Sequence, residues 1–413
     1  MSAGKGLPVD GSVVVVGAGL GGLRCAEALR NEGFAGSITL VGDEAHLPYD
    51  RPPLTKQVLT GAWEVDRIAL TTTEKLDANG ITLLANGRAV ALDVGDRTVA
   101  LETGSHLQAD AIVLATGTSP RWLPGTRALP RVHVVRTMEQ GVALRAAFDE
   151  LGGSGRVVII GGGFIGGEVA SAAVSLGLEV TILEALATPL SPIVGEEMGS
   201  LLSGLHSAAG VDVRTGVTVS GIDGDDGGLA GAVVLDDMTR IDADVIVVGI
   251  GVVPNTQWLE QSGLELGNGV VTDAALFAAD GVVAIGDIAR FEWRHGGVVE
   301  QVRIEHWQVA ADHAAAAARS LLAGRAEAPA VSLVPYFWSD QHGKKIQMLG
   351  HPGPADSATC VLRDDEAGRF VTVYGRDGMF TGVLGLSSPR QVMGYRSLLL
   401  GGATYDEALD VGR

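Results

Sequence analysis

The chain is short of cysteine, of basic residues and of long apolar runs, and each shortage excludes a class of protein. Cys25 and Cys360 are the only cysteines among 413 residues. They lie far apart and form no C-x-x-C, so neither a disulfide framework nor a zinc site is expected. Cys25 falls inside a helical stretch and reads as a small buried hydrophobe. The histidines show no ligand spacing, so no metal is expected. Lysine and arginine total 30 against 49 aspartates and glutamates, a formal charge of −19 that argues against nucleic acid or an anionic membrane as partner. No apolar run approaches the roughly 18 residues of a bilayer span, and the N-terminus lacks a basic-then-apolar signal pattern. A soluble protein of the reducing cytoplasm is the expectation.

Glycine, by contrast, is abundant. The 59 glycines follow no period and gather at the ends of apolar runs, so they read as turns and phosphate loops rather than low complexity. A hydrophobic share of 46% fills cores and argues against disorder. At this length two or three domains are expected.

The stretch from Val13 to Lys56 organises the chain. Val13 to Val16 suits a strand buried on both faces of a parallel sheet. Gly17-Ala18-Gly19-Leu20-Gly21-Gly22 then supplies a G-x-G-x-x-G pattern. Leu23 to Arg30 reads as a helix and Ile38 to Val41 as a second strand, with Asp43 and Glu44 at its end. Gly17 allows the tight turn, Gly19 lets a pyrophosphate approach the backbone, and Gly22 lets helix and strand pack closely. Free N–H groups at the positive end of the helix meet the phosphates. An acid further on accepts hydrogen bonds from ribose hydroxyls.

Beyond this unit, the prolines of Tyr49-Asp50-Arg51-Pro52-Pro53-Leu54-Thr55-Lys56 predict an extended loop before a short helix. Ile81 to Leu101 alternates like antiparallel strands. Ala111 to Gly117 is a buried strand ending in a small-residue turn, suited to a cofactor's approach although a plain loop would read alike. The middle of the chain repeats the opening: Val157 to Ile160, then Gly161-Gly162-Gly163-Phe164-Ile165-Gly166, a helix from Gly167 to Leu176, and Val180 to Glu184. Ala243 to Gly251 likewise resembles Ala109 to Gly117. Two fingerprints imply two dinucleotides, the alternative being one working site and one degenerate copy. Val282 to Asp287 is a further strand with an aspartate at its tip, followed by a helix ending near Gly324. After a linker from Ala326 to Ala330, Val331 to Leu400 mixes short strands (Lys345 to Leu349, Ala358 to Leu362, Arg369 to Tyr374, Phe380 to Leu386) with a closing helix near Val392 to Leu400.

These motifs resemble the glutathione-reductase type of two-dinucleotide flavoprotein, and within it the FAD-dependent NAD(P)H:ferredoxin reductases of oxygenase and cytochrome P450 systems, the putidaredoxin reductase type. The resemblance runs from Val13 to about Leu400. Its specific pieces are Arg51 to Lys56, Gly161 to Glu168, Gly286-Asp287, Arg303-Ile304-Glu305-His306-Trp307 and Tyr336 to Gln341. It implies an α/β fold with two Rossmann-like dinucleotide-binding domains plus a C-terminal α+β domain. Residues 1–117 and 249–326 would form the FAD-binding domain, 118–248 the NADH-binding domain and 327–413 the C-terminal domain.

The resemblance also implies site residues. FAD would be held by Gly17, Gly19, Leu20, Gly21 and Gly22, by Asp43 or Glu44, and by Arg51, Pro53 and Lys56. Ala89, Ala115, Thr116, Gly117, Arg136, Gly286 and Asp287 complete that set, with Glu305, His306 (positional) and Trp307 flanking the flavin. NADH would be held by Gly161, Gly163, Phe164, Ile165, Gly166 and Glu184, with Gly249, Ile250 and Gly251 at the later strand end. A carboxylate at Glu184 bonds a free 2′-hydroxyl and repels a 2′-phosphate, and Ala185, Leu186 and Ala187 offer no cation, which favours NADH over NADPH. Lys56 and Glu168 are implied close to the flavin as the candidate catalytic pair, tuning its charge or forming a plain ion pair. Trp338 is either a flavin neighbour or a core anchor.

Disulfide reductases of this architecture need a cysteine pair beside the flavin, and the corresponding peroxidases a single cysteine, where this chain has Pro52 and Pro53. Electron release from the flavin to an external carrier remains. The implied partner is an iron–sulfur ferredoxin, docking on a basic patch for which Arg294, Arg303, Lys344 and Lys345 are candidates. Rubredoxin or a small molecule is the alternative acceptor. A protein resembling apoptosis-inducing factor, responding to NADH through a partner surface, is the alternative class.

Overall fold

The structure, a computed structural model, describes residues 6–224, 230–295 and 298–411. By packing, the chain divides into two compact units. One comprises the chain up to Asp50 with Ala69–Ser119 and Val253–Phe337; the other comprises Arg51–Ile68, Pro120–Val252 and Trp338 onward. Among the described residues, no helix is long and apolar enough to cross a membrane.

The first unit is built on the strand Ser12–Val16, which lies between Ser37–Val41 and Ala111–Leu114 with both pairings parallel. The full sheet runs Phe277–Ala279, Val282–Ala284, Ala111–Leu114, Ser12–Val16, Ser37–Val41, Ile81–Leu84. Four consecutive valines suit the central strand because both of its faces are covered. Val13 and Val15 pack with Leu23 and Ala26 of the helix Leu20–Asn31 and with Val309 and Ala317 of the helix Trp307–Ala323. Val14 and Val16 face the opposite way, onto Leu92, Val99 and Leu101. These belong to an antiparallel meander, Ala89–Asp93, Thr98–Leu101 and His106–Gln108. The expectation of antiparallel strands from Ile81 therefore holds only from Ala89. Ile81–Leu84 pairs in parallel with Ser37–Val41 as the last strand of the main sheet.

The second unit repeats the plan. Its parallel sheet runs Asp212–Thr215, Glu179–Glu184, Arg156–Ile160, Val245–Val248, Val132–His133. Val157 and Ile159 pack with Val169, Ala170 and Ala173 of the helix Phe164–Ser175. Val158 and Ile160 face Val233, Leu235 and Ile241 of a second meander. The same unit contains an antiparallel sheet ordered Tyr336–Gln341, Lys344–Gly350, Met379–Leu386, Arg369–Arg376, Ser357–Asp364, its first strand entering the unit at Trp338. That first strand escaped the sequence reading. The single closing helix is resolved into Pro389–Gly394 and Arg396–Gly401, with Tyr405–Val411 after them. The proline loop also differs from expectation. Pro52 and Pro53 open a 3-10 helix, Pro52–Thr55, because proline's fixed φ suits a first helical turn whose N–H groups need no partner.

Ile112 is fully buried at the centre of the first sheet. Ile112→Ala should destabilise the first unit by about 3 kcal/mol, read as a lowered midpoint of its denaturant transition; an unmoved midpoint would contradict the packing described.

Candidate functional site

Each unit carries one glycine turn, and each turn is a candidate nucleotide site of its own. Gly17 has φ +118, and a side-chain carbon there would lie 2.1 Å from the Ala115 carbonyl oxygen. A Cβ at Gly22 would lie 1.9 Å from the Gly17 oxygen, so helix and strand meet at a distance only glycine permits. Gly19 is the N-cap of Leu20–Asn31, no side chain caps it, and no atom lies within 4 Å of its open side. Uncapped N–H groups at a helix start with clear space before them fit a pyrophosphate.

The in-register pairs Val16 with Val41, Val16 with Leu114 and Leu114 with Ala284 put four strand ends on one edge. That edge gathers the Gly17 loop, Asp43 and Glu44, Ala115 to Gly117, and Gly286-Asp287. Gly87 donates to the Gly42 carbonyl (2.7 Å), bringing the chain leading to Ala89 to the same edge. Asp43 is exposed, whereas the half-buried Glu44 accepts a short hydrogen bond from the Tyr49 hydroxyl. Thr116 exchanges hydrogen bonds with Asn255, whose amide donates to the Thr116 carbonyl at 2.8 Å. Asp287 stands on a one-turn helix after Gly286 and accepts from Thr118 Oγ1 (3.4 Å). Trp307 opens the long helix with its indole N–H donating to Asp50 (2.7 Å), between Glu305, which pairs with Arg303, and His306, whose ring lies 5.0 Å from Phe337.

The second turn reproduces the first. Gly161 has φ +107, a Cβ at Gly166 would lie 2.1 Å from the Gly161 oxygen, and Gly163 caps the helix Phe164–Ser175 with its own side open. Ile165 is half exposed at the helix start, and Gly249 to Gly251 adjoin the loop, a Gly161 Cβ meeting the Gly249 oxygen at 2.4 Å. Glu184 is fixed by two backbone donors, Gly162 N–H (2.7 Å) and Leu186 N–H (2.8 Å).

The acids, however, are not equivalent in the two copies. Gly17 N–H donates to the Val41 carbonyl and Gly161 N–H to the Leu183 carbonyl. The counterpart of Glu184 is therefore Gly42, and Asp43 and Glu44 follow it. The second unit thus repeats the glycines of the opening but not the position of its acid. A side chain at 42 would meet Ala18 Cβ at 2.7 Å, where Gly162 leaves room for the Glu184 carboxylate in the other copy.

Within the second unit Lys56 and Glu168 meet, Nζ to Oε2 at 2.6 Å, both largely shielded from water. Glu168 also accepts from Thr55 Oγ1 (2.5 Å) and Ser339 Oγ (2.7 Å). Pro53 is buried in the adjoining turn, and Arg51 donates to the Arg136 carbonyl (2.5 Å). Trp338 is half-buried on the strand that carries Ser339. Sequence reasoning missed Thr55, Ser339, Asn255 and Asp50. Thr55 and Ser339 stood inside quoted motifs but far apart in the chain, and Asn255 bore no signal beyond following the repeated strand.

The docking cations are corrected in part. Arg303 has a side chain only 9% exposed and is turned inward to Glu305 and to the Asp287 carbonyl. Lys345 pairs with Asp340 (2.8 Å), Arg294 with Glu292, and Lys344 donates to the Ala367 carbonyl.

These two cradles, on two parallel sheets each closed by an antiparallel meander, define a two-dinucleotide protein. The chain belongs to the pyridine nucleotide-disulphide oxidoreductase family, whose pattern matches residues 11–314, while residues 336–411 match the reductase C-terminal domain. Rhodocoxin reductase of Rhodococcus erythropolis is 37% identical over 94% of this chain and 89% of its own length. The ferredoxin reductase component of chlorobenzene dioxygenase from Cupriavidus sp. (strain PS12) is 37% identical over 92% of this chain and 90% of its own. In the crystal structure of the covalent putidaredoxin reductase–putidaredoxin complex, the matching chain has a TM-score of 0.88 at 31% identity, covering 95% of this chain and 93% of that one. The family resemblance and the fold class read from the motifs are borne out.

Two buried histidines give the folded protein an acid sensitivity. Burial pushes His313 down to about 3 and His206 to about 4. An unfolded histidine titrates near pH ~6.5, so below that value the unfolded chain takes up protons that the folded chain refuses. The melting temperature should therefore fall as pH drops from about 6.5 towards 4, less steeply in a His313→Gln variant; parallel slopes would show that His313 is not responsible.

Proposed function

We propose that the chain is an FAD-dependent NADH:ferredoxin oxidoreductase, passing electrons from NADH via FAD to an iron–sulfur ferredoxin that serves a cytochrome P450 or Rieske oxygenase. The observation that carries this reading is a pair of complete nucleotide cradles in a chain whose two cysteines, Cys25 and Cys360, form no pair. Cys25 is fully buried, its thiol pushed up to about 12 by desolvation. Cys360 sits in the strand Ser357–Asp364 with Sγ against the Leu362 carbonyl. A disulfide or peroxide route needs a reactive thiolate, and electrons must otherwise leave to a separate carrier. The relatives named above are reductases of just such redox carriers.

Bound FAD supplies hydride uptake and electron release; the chain supplies orientation and charge. Segments 1–117 and 249–326 are assigned to FAD, 118–248 to NADH and 327–413 to the C-terminal domain. Gly17, Gly19 and Gly22 take the FAD pyrophosphate at the helix N-terminus. Asp43 is favoured over Glu44 for the ribose hydroxyls because Tyr49 already occupies Glu44. Asp287 takes hydroxyls of the ribityl chain. Gly161, Gly163 and Gly166 take the NADH pyrophosphate, and Glu184, oriented by Gly162 and Leu186, accepts from the 2′-hydroxyl while opposing a 2′-phosphate. Lys56 contributes a positive charge that favours the reduced cofactor. Lys344 and Lys345, both partly exposed, are assigned to the ferredoxin contact. A cytoplasmic location suits the two free cysteines.

Purified yellow protein should oxidise NADH steadily when given a ferredoxin from the same genome with cytochrome c as final acceptor. Material that cannot be reconstituted with FAD, or that turns over with no ferredoxin, would sink the proposal. Lys56→Met should lower the flavin reduction potential; an unchanged potential would leave Lys56 a structural ion-pair partner only.

A further inference from the structure

The turn that presents Asp287 is held by the long helix Trp307–Ala323. Asp287 follows Gly286 on a one-turn helix, and the Gly286 N–H donates to His313 Nδ1 (3.3 Å). Gly286 is buried, so its amide cannot turn to water for a partner. His313 is fully buried as well. Three residues before it, Ala310 packs on the same turn: a Cβ at Gly286 would lie 3.3 Å from Ala310 Cβ, and one at Gly21 would lie 3.8 Å from it. Ala310 and His313 share a helix face. That face thus meets both the Asp287 turn and the helix that starts at the first glycine loop.

Chemistry fixes the direction of the Gly286–His313 bond. A backbone N–H can only donate, so Nδ1 carries a lone pair and the imidazole proton is on Nε2. Burial keeps the ring neutral, pushing it down to about 3 against the opposing pull of Asp287. A charged ring would set a second donor against the Gly286 amide. The arrangement works against stability, because Nε2 is buried with no hydrogen-bond partner among the described residues. Of the buried residues on this helix only His313 can titrate; the others are Val309, Ser320, Leu321 and alanines. A helix packed for stability alone would carry one more small apolar residue here. What the imidazole supplies instead is an acceptor for one amide.

That amide matters because the turn does not hold itself. Gly286 sits at φ +65, and glycine leaves any such conformation at little cost. Beyond it, Arg303 donates to the Asp287 carbonyl (3.1 Å), and Thr118 Oγ1 donates to the Asp287 carboxylate (3.4 Å). The amide entering the Gly286-Asp287 dipeptide and the carbonyl leaving it are both taken by side chains. The direction of the carboxylate is set between those two clamps.

We propose that His313 is a positioning residue for Asp287: its Nδ1 lone pair holds the Gly286 amide and thereby aims the Asp287 carboxylate at the ribityl hydroxyls of FAD. The ligand rests on the FAD assignment made above; the hydrogen bond and its direction do not. Long-range nitrogen–proton NMR of the flavin-loaded protein should find His313 neutral with its proton on Nε2, and a proton on Nδ1 would overturn the proposal. Asparagine and leucine at this position have nearly the same shape, but only asparagine offers an oxygen where Nδ1 stood. With leucine the Gly286 amide loses its acceptor, the turn relaxes, and the cofactor must restore it on binding. The FAD dissociation constant, read from flavin fluorescence on serial dilution of the loaded protein, should rise about tenfold in His313→Leu and stay within about threefold of wild type in His313→Asn, the span of one buried hydrogen bond. In an Asp287→Ala background the two variants should hold FAD equally. Packing alone predicts either no difference between them or one that survives the loss of Asp287, and each result would refute positioning. If flavin binds but NADH and ferredoxin give no turnover, the oxidoreductase reading falls while the comparison of asparagine with leucine still decides the role of His313. Protein that never takes up flavin would end both.

Discussion

A helix can offer its first N–H groups to a phosphate only if its axis passes close over the strand that feeds it. In both sheets that approach is set by one contact, Gly22 against the Gly17 carbonyl and Gly166 against the Gly161 carbonyl, at separations no side chain survives. Once helix and strand are locked there, parallel register carries the other loops to the same edge, since Val16 is level with Val41 and Leu114, and Ile160 with Leu183 and Val248. The acids, the Thr116-Gly117 turn and the Gly286-Asp287 turn then need no separate device to gather at that edge. The valine and isoleucine runs serve this arrangement by making each sheet a rigid two-faced core.

Polar contacts of long sequence separation do a different job. Glu168 is anchored by Thr55, Lys56 and Ser339, which come from two distant parts of the chain. A buried carboxylate with every oxygen satisfied is oriented far more narrowly than one facing solvent. The helix that begins at the second phosphate loop is therefore tied, one turn along, to the first strand of the C-terminal sheet. Occupancy of that loop and the placement of Lys56 are carried by one helix.

The cradles were legible in the sequence because glycine spacing, buried strands and a following acid are local signals with a single geometric meaning. The C-terminal strands were legible to within a few residues for the same reason, apart from Tyr336–Gln341, whose Trp338, Ser339 and Gln341 do not alternate apolar with polar. What stayed hidden was set by tertiary packing. Nothing near Ser339 announces Glu168, and the residue at Gly42 could be matched to Glu184 only through paired carbonyls. Charge failed as a guide for a related reason. Arg303 reads as a surface cation, yet its guanidinium is used to hold the Asp287 backbone and Glu305.

The glycine at position 42 has a bearing on selectivity. FAD has a single adenosine form, so a pocket proposed to hold it has no rival to reject, and there the acids Asp43 and Glu44 follow one residue out of step. The nicotinamide coenzyme circulates with and without a phosphate on that ribose, and in the cradle proposed for it the Glu184 carboxylate sits in register, clamped by two amides. On the proposed assignment, duplicated architecture yields two different degrees of discrimination, the stricter one in the cradle proposed for the nicotinamide coenzyme.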